Sequence, residues 1–284
     1  MAAHMRSTDL RMPKLQLQYT PVPSRRVDPV SDVSRALVVM PTYRERENIS
    51  RILPDVLAHD GIEVLVVDDN SPDGTADAVR AVQAEYPGRV HLIVREGKLG
   101  LGTAYLTGFR WALARDYTHI IEMDADYSHH PACLPRLIQA TRSADLVIGS
   151  RYIPGGRTVN WPVHRKMISV GGSLYARALL NLPVRDLTGG FKCFRRFVLE
   201  SIDLDSVDST GYAFQIELTY RAANQGFRIA EIPITFAERV RGTSKMNRSI
   251  VLEAMLCVMR LRLSQARPAP ALVLPSQGSS EPTT

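Results

Sequence analysis

Two carboxylates two residues apart, Asp124 and Asp126, stand where the apolar run of "IIEMDADYSHHP" (residues 120–131) gives out. Read as the end of a β-strand, this segment alternates its side chains, so both carboxylates point the same way and can share one hard cation. Mg2+ is often held by only one or two protein carboxylates, with phosphate oxygens and water completing the shell, and Mn2+ takes similar oxygen ligands. A nucleoside diphosphate fits so sparse a shell. A DxD alone is a common turn. Here a second acidic pair, Asp68 and Asp69 in "VVDDNSPDGT", closes an earlier apolar run. Carboxylates gathered at one edge repel each other unless a cation or a hydroxyl-rich ligand joins them. His129 and His130 are adjacent and do not naturally converge on one ion, so they read as a turn before Pro131 with at most a supporting role.

No Ser/His/Asp or Cys/His set for nucleophilic catalysis is evident. The stretch "GKLGLGTAYLTG" (97–108) is Gly-rich ahead of a helix. It lacks both the GxGxxG spacing and the Gly-Lys-Ser/Thr of a P-loop. Two readings stay open: backbone amides and Lys98 meeting a diphosphate, or a plain helix-entry turn.

These residues need elements to position them. Short apolar runs at 36–41, 62–70, 90–96, 119–126 and 144–152 read as strands, and 48–58, 75–85, 102–116 and 134–141 as helices. Apolar strands alternating with helices predict a mostly parallel sheet covered on both faces. In such a sheet, ligands sit beyond the carboxyl ends of the strands, where the acidic pairs fall. Later segments break the alternation: helices near 166–180 and 214–224, a strand within "FRIAEIPITF" and a last helix over 247–265. The expected organisation is a flexible N-terminal arm (1–34), a catalytic α/β domain (35–246), a C-terminal helix (247–265) and a disordered tail rich in Pro and Ser (266–284).

The bulk numbers suit a soluble globular chain of 284 residues, with 45% hydrophobic and 23% charged residues. A net charge of +6 favours anionic partners such as nucleotides or phospholipid surfaces. The residues carry no basic platform interleaved with aromatic rings, so nucleic acid is not expected as a partner. Three scattered cysteines argue against a disulfide framework. The N-terminus has no signal-peptide pattern, and no apolar run is long enough to predict a membrane span. The 247–265 segment is apolar over much of its surface and flanked by Arg248, Arg260 and Arg262. It reads either as an interfacial helix meeting anionic lipid or as a final helix packed on the core.

The segments "MPTYRERENI", "VVDDNSPDGT", "KLGLGTAY", "DADYSHHP", "GSRYIPGG", "RKMISVGG", "DLTGGFKCFRR" and "EIPITFAERVRGTSK" occur in that order between about residues 36 and 245. Together they resemble the inverting family 2 glycosyltransferases of the GT-A (Rossmann-like) fold, and within them the polyprenol (dolichol) monophosphate mannose synthase family. The resemblance implies an enzyme that transfers mannose from GDP-mannose to a polyprenyl monophosphate, with Mg2+ or Mn2+. It places the nucleotide sugar against Pro41, Tyr43, Glu45, Val67, Asp68, Asp69, Lys98, Asp124, Ala125 and Asp126, with Arg239 and Lys245 closing over it. It makes Asp124 and Asp126 the metal ligands. Ser128 stands where related sequences often carry Gln as a third metal contact, and a serine hydroxyl is a weaker neutral ligand. Arg151, Arg165 and Ser169 become the acceptor-phosphate clamp, so the catalytic set is Asp124, Asp126, Arg151, Arg165 and Arg239. Asp186 is expected to be structural, paired with a nearby arginine. Related enzymes often use C-terminal membrane spans or separate membrane subunits. A chain without spans is therefore expected to dock peripherally on the cytoplasmic face of a membrane, with a membrane-protein anchor as a further partner.

The residues support this chemistry directly. A phosphate monoester is already anionic at pH 7, its second pKa being about 6, so the nucleophile needs no general base. Two other readings stay open: the same transfer with another donor such as UDP-glucose, and an inactive nucleotide-sugar-binding subunit of a membrane complex.

Overall fold

Ala36 to Met40 are five successive residues with no exposed surface, as a strand covered on both faces requires. Their side chains alternate between two cores. Leu37 and Val39 join one apolar cluster, and Ala36, Val38 and Met40 the other. In the computed structural model, which describes residues 35–209, 211–238 and 248–264, this strand is β1 (Ala36–Thr42). After it come α1 (Arg46–Leu57), β2 (Ile62–Asp68), α2 (Thr75–Glu85), β3 (Val90–Val94), α3 (Leu101–Leu113), β4 (His119–Glu122), α4 (Leu134–Ala140) and β5 (Leu146–Ser150). The second half adds β6 (Arg157–Val159), α5 (Val163–Leu180), β7 (Lys192–Arg195), α6 (Arg196–Ser201), α7 (Gly211–Asn224), β8 (Ile229–Pro233), β9 (Thr235–Ala237) and α8 (Arg248–Ser264).

The main sheet has the order β3-β2-β1-β4-β7-β5-β8. All neighbours pair parallel except β7, which runs antiparallel between β4 and β5. Helices α1, α2 and α4 cover one face, and α3, α5, α6, α7 and α8 the other. β6 and β9 form a separate parallel pair. Helix α3 comes so close to β1 that a Cβ on Gly108 would lie 2.3 Å from a methyl carbon of Val39, so only glycine fits there.

Three expectations are corrected. Strand β4 stops at Glu122, not Asp126, so strand alternation does not orient the two aspartates. The strand expected in "FRIAEIPITF" is two strands, β8 and β9, in different sheets. β6, β7 and α6 were not expected at all. The arm (1–34) and the tail (266–284) lie outside the described residues.

Candidate active site

The acidic pair at the end of β2 is compensated within the protein. Asp68 is fully buried and accepts hydrogen bonds from Thr42 Oγ1 (2.7 Å), Ser71 N (2.8 Å) and Ser71 Oγ (2.6 Å). Asp69 pairs with Arg95 and accepts from the main-chain N–H groups of Leu99 (3.2 Å) and Gly100 (3.3 Å). The Leu99 and Gly100 amides of the Gly-rich turn are thus turned toward Asp69, and Gly108, farther along in α3, serves helix packing. Val67 and Ala125 are buried in the two cores, so any donor contact from them falls to the main chain. The more open surface at this edge belongs to Pro41, Tyr43, Glu45 and Lys98. The Lys98 ammonium lies 4.7 Å from the centroid of the Tyr43 ring. Glu45 accepts from Asn48 Nδ2 at the start of α1.

Beyond β4 the chain bends sharply through residues 125–129, with Tyr127 at φ 62°. Asp124 remains open, its side chain 31% exposed, whereas Asp126 is buried. Asp126 Oδ1 accepts from Ser128 N (3.0 Å), which fixes the turn. His129 plays the supporting role. Its Nδ1 accepts from Asp124 N (3.0 Å), and its ring stacks on Phe191 and meets Phe236 edge-on. Tyr105 donates to Asp124 Oδ1 at 3.4 Å. Burial and the neighbouring carboxylates push that phenol well above its ordinary value, so it remains a donor. Beneath the turn, Glu122 faces Lys192 across β4 and β7. Both are fully buried; burial pushes the Glu122 carboxyl up and the Lys192 ammonium down.

The residues present fit a divalent cation. Asp124 and Asp126 offer two carboxylates, and the buried hydroxyl of Ser128 has no hydrogen-bond partner among the described residues. No group of three or more His, Cys, Asp or Glu side chains among those residues could hold an ion. Two carboxylates and one hydroxyl make a sparse shell, of the kind that phosphate oxygens and water can complete.

A second cluster gathers at the end of β5 and on α5. Arg151 is buried and makes a two-pronged pair with Asp186, Nε to Oδ2 at 2.8 Å and Nη2 to Oδ1 at 2.6 Å. It also donates to Thr188 Oγ1 at 2.8 Å. Tyr152 donates to Ser169 Oγ (2.7 Å), and Ser169 lies 3.2 Å from Thr188 Oγ1. Arg165 completes the group, its Nη1 3.4 Å from Glu238. The structure thus brings Arg151, Arg165 and Ser169 into one neighbourhood, with Arg151 already engaged by Asp186. Phe236 joins the two halves: its ring meets His129 at 5.3 Å and faces the Arg151 guanidinium at 5.3 Å. Arg239 and Lys245 lie outside the described residues. Sequence reasoning missed Tyr105, Tyr152, Trp161, Thr188 and Phe236. Of these, Tyr105, Tyr152, Thr188 and Phe236 sit inside segments already singled out, and Trp161 carried no signal.

Helix α5 is inverted relative to an ordinary surface helix. Its buried stripe starts with the polar residues Arg165, Ser169 and Ser173. Its outer face carries Val163 (74% exposed), Met167 (69%), Ile168, Val170 and Leu174 (63%). Beside it, α8 exposes Met255, Leu256, Met259 and Leu263. The helices touch through Tyr175, which donates to the Met255 carbonyl at 3.4 Å. No described helix is long and apolar enough to cross a membrane.

Residues 37–203 match the family model described as Glycosyl transferase family 2. The chain is 51% identical over 233 residues, 81% of its length and 95% of the relative's, to the undecaprenyl-phosphate mannosyltransferase of Micrococcus luteus. It is 50% identical over 244 residues, 84% and 92% of the two lengths, to the polyprenol monophosphomannose synthase of Mycolicibacterium smegmatis. Among solved structures it resembles the glucosyl-3-phosphoglycerate synthase of Mycobacterium tuberculosis in complex with Mn2+, uridine diphosphate and glucosyl-3-phosphoglycerate. The TM-score is 0.60 and the identity 19%, covering 80% of each chain. That likeness is one of fold.

Proposed function

Since this chain belongs to glycosyl transferase family 2, we propose that it transfers mannose from GDP-mannose to a polyprenyl monophosphate, releasing GDP. It is a glycosyltransferase of the GT-A fold, with the mostly parallel, helix-flanked sheet described above. The names of the two relatives supply the acceptor class and the sugar. The observation that carries the reading is the pairing of two unlike half-sites around Phe236: an open carboxylate turn on one side and a cluster of two arginines and hydroxyls on the other.

The chemistry follows from the charges. The acceptor phosphate brings its own anionic oxygen, so the protein needs to hold and aim it rather than deprotonate it. Arg165, Ser169 and Arg151 do this, the guanidiniums matching phosphate oxygens. On the donor side, Pro41, Tyr43, Glu45 and Lys98 line the nucleotide's place. Asp124 and Asp126, with the Ser128 hydroxyl, would hold Mg2+ or Mn2+, which neutralises the leaving diphosphate when bound. The Mn2+ in the structural neighbour supports a divalent ion. Arg239 and Lys245 are assigned to the donor side from the sequence resemblance alone.

A polyprenyl phosphate lives in a bilayer, and the outer face of α5 and α8 fits a bilayer surface. A contiguous row of exposed Met, Leu, Val and Ile marks a non-aqueous partner. Exposed Lys166, Arg177, Arg260 and Arg262 on the same two helices suit anionic headgroups. A groove of about 360 Å³ lined by Leu174, Arg177, Ala178, Asn181, Leu182 and Pro183 opens at the C-terminal half of α5.

The test is turnover of GDP-mannose and of UDP-glucose with a polyprenyl phosphate and Mg2+ or Mn2+, the lipid product being identified by chromatography and mass spectrometry. Polyprenyl-phosphomannose from GDP-mannose is expected. Turnover with the UDP-sugar alone would replace the donor, and no product with any donor would favour the inactive subunit.

A further inference from the structure

Two buried nitrogen donors in the acceptor half have no hydrogen-bond acceptor among the described residues: Nε of Arg165 and Nε1 of Trp161. They belong to one contact. The Arg165 guanidinium carbon lies 4.1 Å from the centroid of a Trp161 ring, and that of Arg151 lies 5.4 Å from it. Arg151 has its charge answered by Asp186. Arg165, 8% exposed, has for a carboxylate only Glu238 at 3.4 Å among the described residues. A buried guanidinium so weakly paired needs another partner to keep it in place. The indole face, the best aromatic partner for a cation, supplies one.

The kind of partner matters. A carboxylate in that place would neutralise Arg165 and occupy the N–H groups that a phosphate needs. A ring held against the guanidinium face leaves the in-plane donors available. The local backbone delivers the ring. Asn160 at φ 60° turns the chain between β6 and α5, a conformation asparagine adopts more readily than most residues. Phe236 then braces the indole edge-on at 5.3 Å.

We propose that Trp161 is a positioning residue of the acceptor-phosphate site, holding Arg165 so that its in-plane N–H groups face the dianionic phosphate beside the neutralised Arg151–Asp186 pair. This rests on the acceptor site proposed above, and two measurements separate the two ideas.

The first is optical. The chain has two tryptophans, and the other, Trp111, stacks on Tyr117 and lies tilted against His91. In a Trp111→Phe chain the emission comes from Trp161 alone. Titration with farnesyl phosphate is expected to give a saturable change in emission that Arg165→Gln weakens. A change without any turnover would sink the enzymatic reading and leave this proposal standing. Normal turnover without a change would sink the proposal.

The second is kinetic. Trp161→Leu should raise the KM for the lipid acceptor about tenfold, with the donor KM held within about twofold. Trp161→Phe, which keeps a ring, should recover most of the loss, and Trp161→Leu should add nothing in an Arg165→Gln background. An equal rise in both KM values, a fall in kcat alone, a Phe variant as impaired as Leu, or additivity with Arg165→Gln would each overturn it. If Trp161→Leu does not fold, the optical titration decides.

Discussion

Replacing Asp186 by Asn should remove a large share of the stability of this protein. Asp186 has no exposed surface, and the Arg151 side chain is 3% exposed. Three N–H donors of Arg151 converge on the carboxylate: its main-chain N at 2.9 Å, Nε at 2.8 Å and Nη2 at 2.6 Å. Asparagine keeps the shape but carries no charge, and its amide N–H groups would face donors. Removing one partner of a buried pair leaves the other as an uncompensated charge, which costs about 3–5 kcal/mol. For a domain of this size that is a fall of roughly 10 °C in melting temperature. The assay is equilibrium urea denaturation followed by far-UV circular dichroism, with the double variant Arg151→Met/Asp186→Leu alongside. The double variant should recover much of the stability, since both charges are gone, and yet lose acceptor binding. A cost for Asp186→Asn below about 1 kcal/mol, the range of a solvated pair, would refute the claim that this ion pair is dry.

Asp126→Ala should abolish transfer while the fold persists, because it removes a metal carboxylate, and the hydrogen bond it accepts from Ser128 N is worth about 1 kcal/mol. Chelation should do the same to the wild type and added Mg2+ or Mn2+ should reverse it; an active Asp126→Ala enzyme would mean the metal role is misassigned. His119, wedged between Thr118 and Thr141, has its pKa lowered to about 4 by burial first and then by Arg195. Its folded value lies below its unfolded one, so wild type should lose about 3 kcal/mol relative to His119→Gln as pH falls from about 6.5 to 4. A pH-independent difference between the two denaturation curves would contradict this. Met167→Glu and Leu256→Glu should each weaken flotation with anionic vesicles and spare turnover on a short-chain prenyl phosphate in detergent. Unchanged flotation would remove α5 and α8 from the membrane face.

Local pattern carried the first half of the fold. β1, β2, β4 and β5 are apolar runs bounded by turns, and α2 has the limits its periodicity indicates. β7 was illegible because "KCFR" has no strand signature of its own. It is a strand because β4 and β5 accept it on either side, with Lys192 buried against Glu122. The acidic pairs show the same divide. Their position at strand ends marked the ligand edge, but which carboxylate stays open depended on contacts from elsewhere in the chain. Ser71 and Arg95 take up Asp68 and Asp69, and only Tyr105 and His129, among the contacts described above, steady Asp124. Trp161 was invisible for that reason too, since its meaning lies in two arginines that the fold brings to it.

The reversed polarity of α5 also bears on how the reaction would be observed. A helix is about 10 Å across, so the phosphate-holding side chains and the apolar face are separated by a single helix's thickness. An acceptor confined to the bilayer would approach by lateral diffusion within the plane, and only its charged head would need to leave the plane. The rate should then follow the acceptor's mole fraction among the lipids. Adding bare phospholipid at constant total acceptor should slow the enzyme by surface dilution, although nothing in the aqueous phase has changed.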